Sequence, residues 1–331
     1  MAEYINIKGQ NIEVVASDPA NPTIGQIWYN STSNTLKGQI FQPAGWATTP
    51  SLNTGTKEGF GFGTLTAAVL AGGEVATFTN ITQEYDGTSW STNPNFAPQR
   101  RSGSSAGTQT AGLAAGGYDA GAPQYDGNTF FYDGTTWTGS VATMSSLRER
   151  TSSTPGGTQT AALAVGGLFG PPGSTTNSES FNGTAWTGIS AMSTSAWDRA
   201  GCGTQTAYLV VGGQSFPPPA YPYNNLTEEW NGSAWTGGGN YIVNMAYADG
   251  AGTQTAGIVA GGGGTPTTGT SSATYDGTSW TSLGTLVFSQ IAHRLSGSTA
   301  GAITAGNDAS PNTGTQEYLT AGPVTKTITA S

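Results

Sequence analysis

The sequence predicts an all-β chain, a β-propeller of six four-stranded units arranged in a ring, and three observations carry that prediction. An eleven-residue phrase recurs with small changes, as GTQTAGLAAGG (107–117), GTQTAALAVGG (157–167), GTQTAYLVVGG (203–213) and GTQTAGIVAGG (252–262). A second phrase of aromatic, turn and tryptophan accompanies it, as YDGTSW (85–90), YDGTTW (132–137), FNGTAW (181–186), WNGSAW (230–235) and YDGTSW (275–280), with tryptophans 47, 49, 49 and 45 residues apart. Glycine makes up 51 of 331 residues, yet nine Trp, thirteen Tyr and eleven Phe supply far more buriable area than a disordered chain carries. A fixed period of this length marks stacked or radial copies of one supersecondary unit.

Taken from the N-terminus, residues 1–40 stand outside the repeat. The stretch GQIWYNSTSNTLK (25–37) reads as a β-hairpin, with strands at 27–30 and 35–37 turned by STSN. Next, FQPAGW (41–46) has the aromatic, turn and tryptophan but no small-residue phrase before it, and Trp46 precedes Trp90 by 44 residues, in register with the rest. Residues 41–49 are therefore expected to supply a strand that closes the last unit and removes exposed sheet edges. The tail at 323–329 competes for the same position.

GTLTAAVLAGG (63–73) opens the first unit, and four regular units follow. GSTAGAITAGN (297–307) opens the sixth, whose Tyr318 lacks the Asp-Gly and Trp that should come next. Within each unit the Asp-Gly or Asn-Gly step predicts a hairpin with a type I′ turn, and the Gly-Thr-Gln-Thr step predicts a second hairpin. The Gly-, Ala- and Ser-rich strands are placed innermost, where units crowd at the axis, and the Tyr and Trp strands outward. The domain division is thus 1–40, an attachment or oligomerisation segment, and 41–331, the propeller.

The Gly-Gly pairs at 72–73, 116–117, 166–167, 212–213 and 261–262, each followed by the spaced aromatic and Trp, resemble those of Kelch-type propellers across residues 41–322. That resemblance implies architecture and no single activity. The 25–37 stretch resembles a short element found near the start of tail fibres and other virion appendage proteins of marine and cyanobacterial phages. It implies a bacteriophage structural protein.

Only 9% of residues are charged, and nineteen acids against ten bases leave the chain at −9, which excludes the concentrated basic face that nucleic acid requires. No apolar run reaches eighteen residues and the N-terminus lacks a basic, apolar leader, so neither membrane insertion nor processing is expected. A single Cys and a single His permit no internal disulfide and no cluster of soft metal ligands, so no cofactor and no metal are expected. Cys202 is read as a small buried residue and His293 as a solvated loop histidine.

All six arginines fall between one unit's Trp and the next small-residue phrase. Arg101, Arg150, Arg199 and Arg294 are expected to ring the axial mouth and make it positive, or to cap inner-strand carbonyls of the adjacent unit. One histidine cannot build the copper site of a Kelch-type oxidase. The Asp86, Asp133 and Asp276 hairpins lack the spacing of sialidase Asp boxes and read as turns. No two of the carboxylates outside the hairpins, Glu58, Glu74, Glu84, Asp119, Glu149, Glu179, Asp198, Glu228, Glu229, Asp249, Asp308 and Glu317, are paired by sequence, so a chain that is not an enzyme is expected.

Variation between units points to binding. The loops after each Gly-Gly differ in length and concentrate aromatics, and Tyr125, Phe169, Phe216, Tyr221 and Tyr223 are the expected contact residues. The functional expectation is a virion component, assembled in the host cytoplasm and displayed outside on the particle. Its residues 1–40 join other virion proteins, and its loops meet a host-surface glycan or protein. Several copies are expected, as a homo-oligomer, because single aromatic contacts are weak. The alternatives are a capsid or tail decoration protein and a cellular Kelch scaffold.

Overall fold

The computed structural model describes residues 12–96, 99–121, 124–169, 173–215, 222–264, 269–308 and 313–328. Strands are their only regular elements, and no helix is long and apolar enough to cross a membrane. The chain forms two compact units, one from Met1–Gly45 with Leu319–Ser331 and the other from Trp46–Tyr318.

The first unit is a four-stranded sheet in the order Glu13–Val15, Ile27–Asn30, Thr35–Gln42, Gly322–Thr327. The central pair is the hairpin read from the sequence. Its signature residues converge on one carboxylate: Asp18 accepts from Trp28 Nε1 at 3.0 Å, Asn30 Nδ2 at 2.8 Å and Lys37 Nζ at 2.7 Å. Lys37, then Asn30 and Trp28, hold Asp18 down at about 2. Asn30 also accepts the Thr32 and Ser33 N–H groups, which fixes the turn. The tail does not compete for the propeller edge. It pairs with Thr35–Gln42, Val324 opposite Ile40, so the division lies after residue 45, not 40, and the chain's two ends share a sheet.

Among the described residues the second unit carries six sheets of three or four strands in chain order, and a two-stranded ladder that pairs Arg100–Arg101 with Tyr118–Asp119. Sheet I is Phe60–Thr64, Ala67–Ala71, Thr82–Tyr85 and Trp90–Asn93; sheet II is Ser104–Thr108, Ala111–Ala115, Asn128–Tyr132 and Ala142–Thr143. Sheet III is Ala162–Val165, Ser178–Phe181 and Trp186–Ile189; sheet IV is Ala200–Gly203, Tyr208–Val211, Thr227–Trp230 and Trp235–Gly237. Sheet V is Ala246–Thr253, Ala256–Gly263, Ser271–Tyr275 and Trp280–Thr285. Sheet VI is Arg294–Ser298, Gly301–Ala305 and Thr315–Leu319, completed by Gly45–Thr49.

Sheet III has no regular first strand because Pro155 removes a ladder donor there. The Thr154 hydroxyl takes over, accepting the Leu163 N–H at 2.8 Å and donating to the Leu163 carbonyl at 2.9 Å. Small residues do pack where first strands meet: a Cβ on Gly250 would lie 2.4 Å from the Gly201 carbonyl.

A ring pair closes the second turn within a sheet, and two hydrogen-bonding side chains reach back to the sheet before. Across every second turn an aromatic pair packs, as in Tyr132–Trp137 at 4.8 Å and Phe181–Trp186 at 5.0 Å between ring centroids. The tryptophan then donates its indole N–H to a hydroxyl on the sheet before: Trp137 to Thr82, Trp186 to Thr129, Trp280 to Thr227. The recurrent glutamine works the same way. Gln159 Nε2 donates to the carbonyls of Gly112 and Tyr132, both at 2.9 Å, and Gln254 to those of Tyr208 and Trp230 at 2.9 and 3.0 Å. The Gly-Thr-Gln-Thr phrase therefore repeats because its glutamine staples neighbouring sheets.

Trp46 takes the place left empty in the sixth repeat. It packs on Tyr318 at 5.5 Å and donates to Ser272 of sheet V at 2.9 Å, the bond its counterparts make. The turns themselves differ from expectation. Among the four residues 86–89, only Gly87 has positive φ, at 90°, and the Asp86 N–H bonds the Ser89 carbonyl, so the central pair is Gly87-Thr88 and the turn is not type I′. Asp86 sits before the glycine so that its carboxylate can accept the Thr88 and Ser89 N–H groups, both at 2.7 Å.

Candidate functional site

Among the described residues twenty-four glycines adopt positive φ, and so do seven other residues. Six of the seven form one set: Glu58, Ser102, Arg150, Asp198, Tyr247 and Ala292, with φ between 54° and 61°. Each enters a different sheet, and each lies fourteen residues before its Gly-Gly or Gly-Asn pair, sixteen for Arg150. Each N–H donates to the carbonyl of the preceding member at 2.5–3.2 Å, from Ser102 to Glu58 around to Glu58 donating to Ala292, so six backbone bonds close on themselves.

A non-glycine residue in this conformation costs roughly 1–2 kcal/mol. A chain that places glycine at most other such turns, yet here holds five different polar or aromatic side chains and one alanine, holds side chains that the ring uses. All six line one cavity of about 20 Å³, together with Thr151, Ser153, Arg199, Asp249 and Arg294.

The electrostatics around the ring are those of a compensated ion network. Arg150 lies 2.6 Å from Asp198, 3.6 Å from Glu58 and 3.7 Å from Glu149. Arg101 pairs with Glu58, lies 3.3 Å from Glu74 and 4.0 Å from Glu149, and spreads its guanidinium over the rings of Phe78 and Tyr118 at 5.5 and 5.3 Å. Those two rings stack at 5.8 Å and 13°, and Tyr125 meets Tyr118 edge-on at 5.7 Å. Burial would raise Glu58, but Arg150 and Arg101 hold it below its ordinary value. Burial wins at Asp198 and Asp249, which are pushed up to about 6 against Arg150 and Arg294 respectively.

Three expectations for the basic residues are corrected here. The mouth is not positive, because Arg101, Arg150 and Arg294 sit among Glu58, Glu74, Glu149, Asp198 and Asp249. The arginines are of two kinds. Arg199 borders the cavity but turns its guanidinium to Glu228 at 2.9 Å and the Leu226 carbonyl at 3.3 Å, while Arg148 reaches Glu179 at 3.3 Å and the Ala164 carbonyl at 3.0 Å. Arg100 likewise pairs with Asp119 and Asp126. The arginines of this set reach carbonyls of their own repeat, not inner-strand carbonyls of the adjacent unit, and Arg101, Arg150 and Arg294 are the ones whose guanidiniums stay with the ring. His293 is not solvated: it is 1% exposed, neither ring nitrogen has a partner among the described residues, and burial, then Arg294, pushes it down to about 3. Cys202 is buried as expected, its thiol pushed up by burial.

Of the loop aromatics, Tyr125 joins the Phe78–Tyr118 stack, and Phe169 is 51% exposed. Tyr223 is half-buried and bridges Gln214, whose side chain accepts from Tyr247 at 3.2 Å. Phe216 and Tyr221 lie outside the described residues. Sequence reasoning missed Phe78, Tyr118 and Tyr247 as site residues, and the gathering of Glu58, Glu74, Glu149, Asp198 and Asp249 around the arginines. Aligning the repeats on their Gly-Gly or Gly-Asn pairs and reading the variable column fourteen residues earlier would have found five of the six ring positions, Arg150 being displaced by two residues.

No family model matches the sequence, and no curated protein matches it. Among solved structures, one described as "Structure of YjhT" is similar, with a TM-score of 0.65 at 11% identity, covering 83% of this chain and 95% of that one. The fold is β-propeller-like. At that identity the likeness speaks for the fold alone. It also overturns one expectation: YjhT has a sialidase-type fold, which is an enzyme fold, so the reading of this chain as one that is not an enzyme is withdrawn.

Proposed function

We propose that the chain is a component of a bacteriophage tail fibre or other virion appendage, built as a six-bladed Kelch-type propeller closed by its N-terminal strand. Its loop face recognises a glycan on the host surface, and residues 1–40 join it to other virion proteins. The observation that carries the binding role is the ring of six left-handed residues, where a nearly copied frame presents six different positions to one cavity. The closed circle of six backbone bonds and the Gly45–Thr49 strand in sheet VI support the blade count and the closure. The phage reading rests on the 25–37 element, whose Trp28, Asn30 and Lys37 all serve to bind Asp18 in a separate unit.

Aromatic faces beside hydrogen-bonding side chains suit sugar rings, whose C–H faces stack while their hydroxyls bond. Stacking of this kind contributes on the order of 1 kcal/mol per contact, so display in several copies raises useful avidity. The test is adsorption of the labelled chain to host cells and to a glycan array. Alanine at Phe78, Tyr118 and Phe169 should abolish adsorption while leaving the melting temperature of the chain little changed. Adsorption that survives those changes, and is lost only when residues 1–40 are altered, would make the propeller a spacer.

A further inference from the structure

Building on the joining role given above to the N-terminal segment, we infer that the sheet of the first unit packs an aliphatic face against the same face of a second copy of this chain. The strand registers put Val14, Tyr29, Leu36, Ile40 and Val324 on one side of that sheet, and Ile27 joins them two residues before Tyr29. Gly38 lies among them: a Cβ there would be 3.4 Å from Ile328 Cδ1 and 3.7 Å from Ile27 Cγ1. The other side holds Trp28, Asn30 and Lys37, all bound to Asp18, and Gln39. Trp28 is 0% exposed, whereas Val14 is 67% and Ile40 47% exposed.

This order is the reverse of a sheet with one face in water, which turns its aliphatic side inward and its polar side out. An aliphatic face left exposed in this way marks a contact surface. The sheet's edges offer none. Glu13–Val15 is only three residues long, and Gly322–Thr327 carries Pro323 and Lys326, residue types that blunt an edge against pairing with another strand.

Charge singles out a second copy as the occupant. Among the described residues, Lys326 on the outermost strand is the one charged strand residue of this face, and the Tyr29 hydroxyl already donates to Asn34 Oδ1 at 3.2 Å. A different protein would be told apart by charges or free hydrogen-bonding groups, which the face does not present, whereas a uniformly aliphatic surface complements itself. The whole chain carries −9, so two copies repel one another in most orientations. This face has no carboxylate on its strands and lets them meet without that penalty. Two such faces pack about 10 Å apart with their side chains interdigitated. The pairing supplies the several copies that glycan binding calls for, but it does not depend on what the loops bind.

Sedimentation velocity of the full chain over a range of concentrations is the test. The chain should self-associate, and more tightly as salt rises, because salt screens the repulsion between acidic copies and leaves apolar contact intact. Val14→Glu with Ile40→Glu, both at exposed positions, should raise the dissociation constant at least about hundredfold while the far-UV circular dichroism stays the same. Val14→Thr with Ile40→Thr keeps the strand-favouring branched side chains and should raise it by a smaller factor, which decides the matter if the glutamates disturb folding. Thr327→Glu, on the opposite side of the sheet, should leave it unchanged. A chain that stays monomeric up to about 1 mM, association that weakens with salt, or association that survives both paired changes overturns the inference. Host-cell adsorption, measured on the same samples, separates the two claims: self-association without adsorption sinks host recognition alone, and adsorption by a strict monomer sinks this inference alone.

Discussion

Replacing Arg199 by alanine tests how each repeat is tied internally. The guanidinium lies 2.9 Å from Glu228, 3.3 Å from the Leu226 carbonyl and 3.5 Å from that of Thr194, and both charged residues are 4% exposed. Removing one partner of a buried pair costs about 3–5 kcal/mol because the other charge stays buried. Glu228 would still accept the Ser193 N–H and hydroxyl, both at 2.7 Å, and the Thr194 N–H at 3.3 Å, which places Arg199→Ala near the lower figure, about 3 kcal/mol. Glu228→Ala would leave a guanidinium with two carbonyls and the Met192 sulfur, which places it near the upper figure, about 5 kcal/mol. The double change Arg199→Met with Glu228→Gln should cost less than the two single losses together, since no bare charge remains. Urea unfolding followed by tryptophan fluorescence measures all three. A loss under about 1 kcal/mol for Arg199→Ala, or costs that simply add, would refute the reasoning.

Three further outcomes are expected. Deleting residues 1–49 removes the fourth strand of sheet VI and should lower the melting temperature sharply; an unchanged value would deny the closure. Gln159→Ala removes two amide bonds between sheets II and III and should cost about 1–3 kcal/mol, whereas the same change at the exposed Thr160 should cost under about 0.5 kcal/mol, both read by urea midpoint. Asp249 sits at about 6 in the folded chain against an ordinary 3.8, so its ionisation opposes folding. Its penalty is absent below about pH 4, grows as pH rises through 6 and reaches about 3 kcal/mol above it. Asp249→Asn should therefore gain stability relative to the parent chain between pH 4 and 7, and a difference flat with pH would show that the carboxylate ionises freely.

The repeat was legible because the frame is written in residues with narrow uses. Glycines at forced left-handed turns and aromatics at fixed spacing gave the sheets, and the Trp46 register pointed to the closing strand. What was not legible depends on ring closure. Glu58, Glu149, Asp198 and Asp249 are far apart in the chain and meet only because their sheets surround one cavity, so no local pattern pairs them or predicts that they neutralise Arg101 and Arg150. His293 looked solvated because the chain around it resembles a loop, and its burial comes from neighbours such as Gly261, where a Cβ would lie 2.6 Å from His293 Cε1. The turn type was misjudged because Asp-Gly was read as the central pair, when the aspartate precedes it to take up backbone N–H groups.

The strand that completes sheet VI bears on the order in which the chain can fold. Thr49 and Glu317, joined by a hydrogen bond at 3.2 Å, are 268 residues apart, and Thr315 reaches the Pro50 carbonyl across 265. During synthesis Gly45–Thr49 leaves the ribosome early and waits, without its ladder partner, until the last repeat has been made. At about 5–20 residues per second that interval lasts on the order of ten seconds to a minute. Sheets I to V need no such wait, since their strands follow one another along the chain. The ring should therefore accumulate as an open arc and shut in one late, slow step. A nascent chain held open in this way offers its lone strand to any other arc nearby, which makes exchange of Gly45–Thr49 between copies the characteristic misfolding route for this protein.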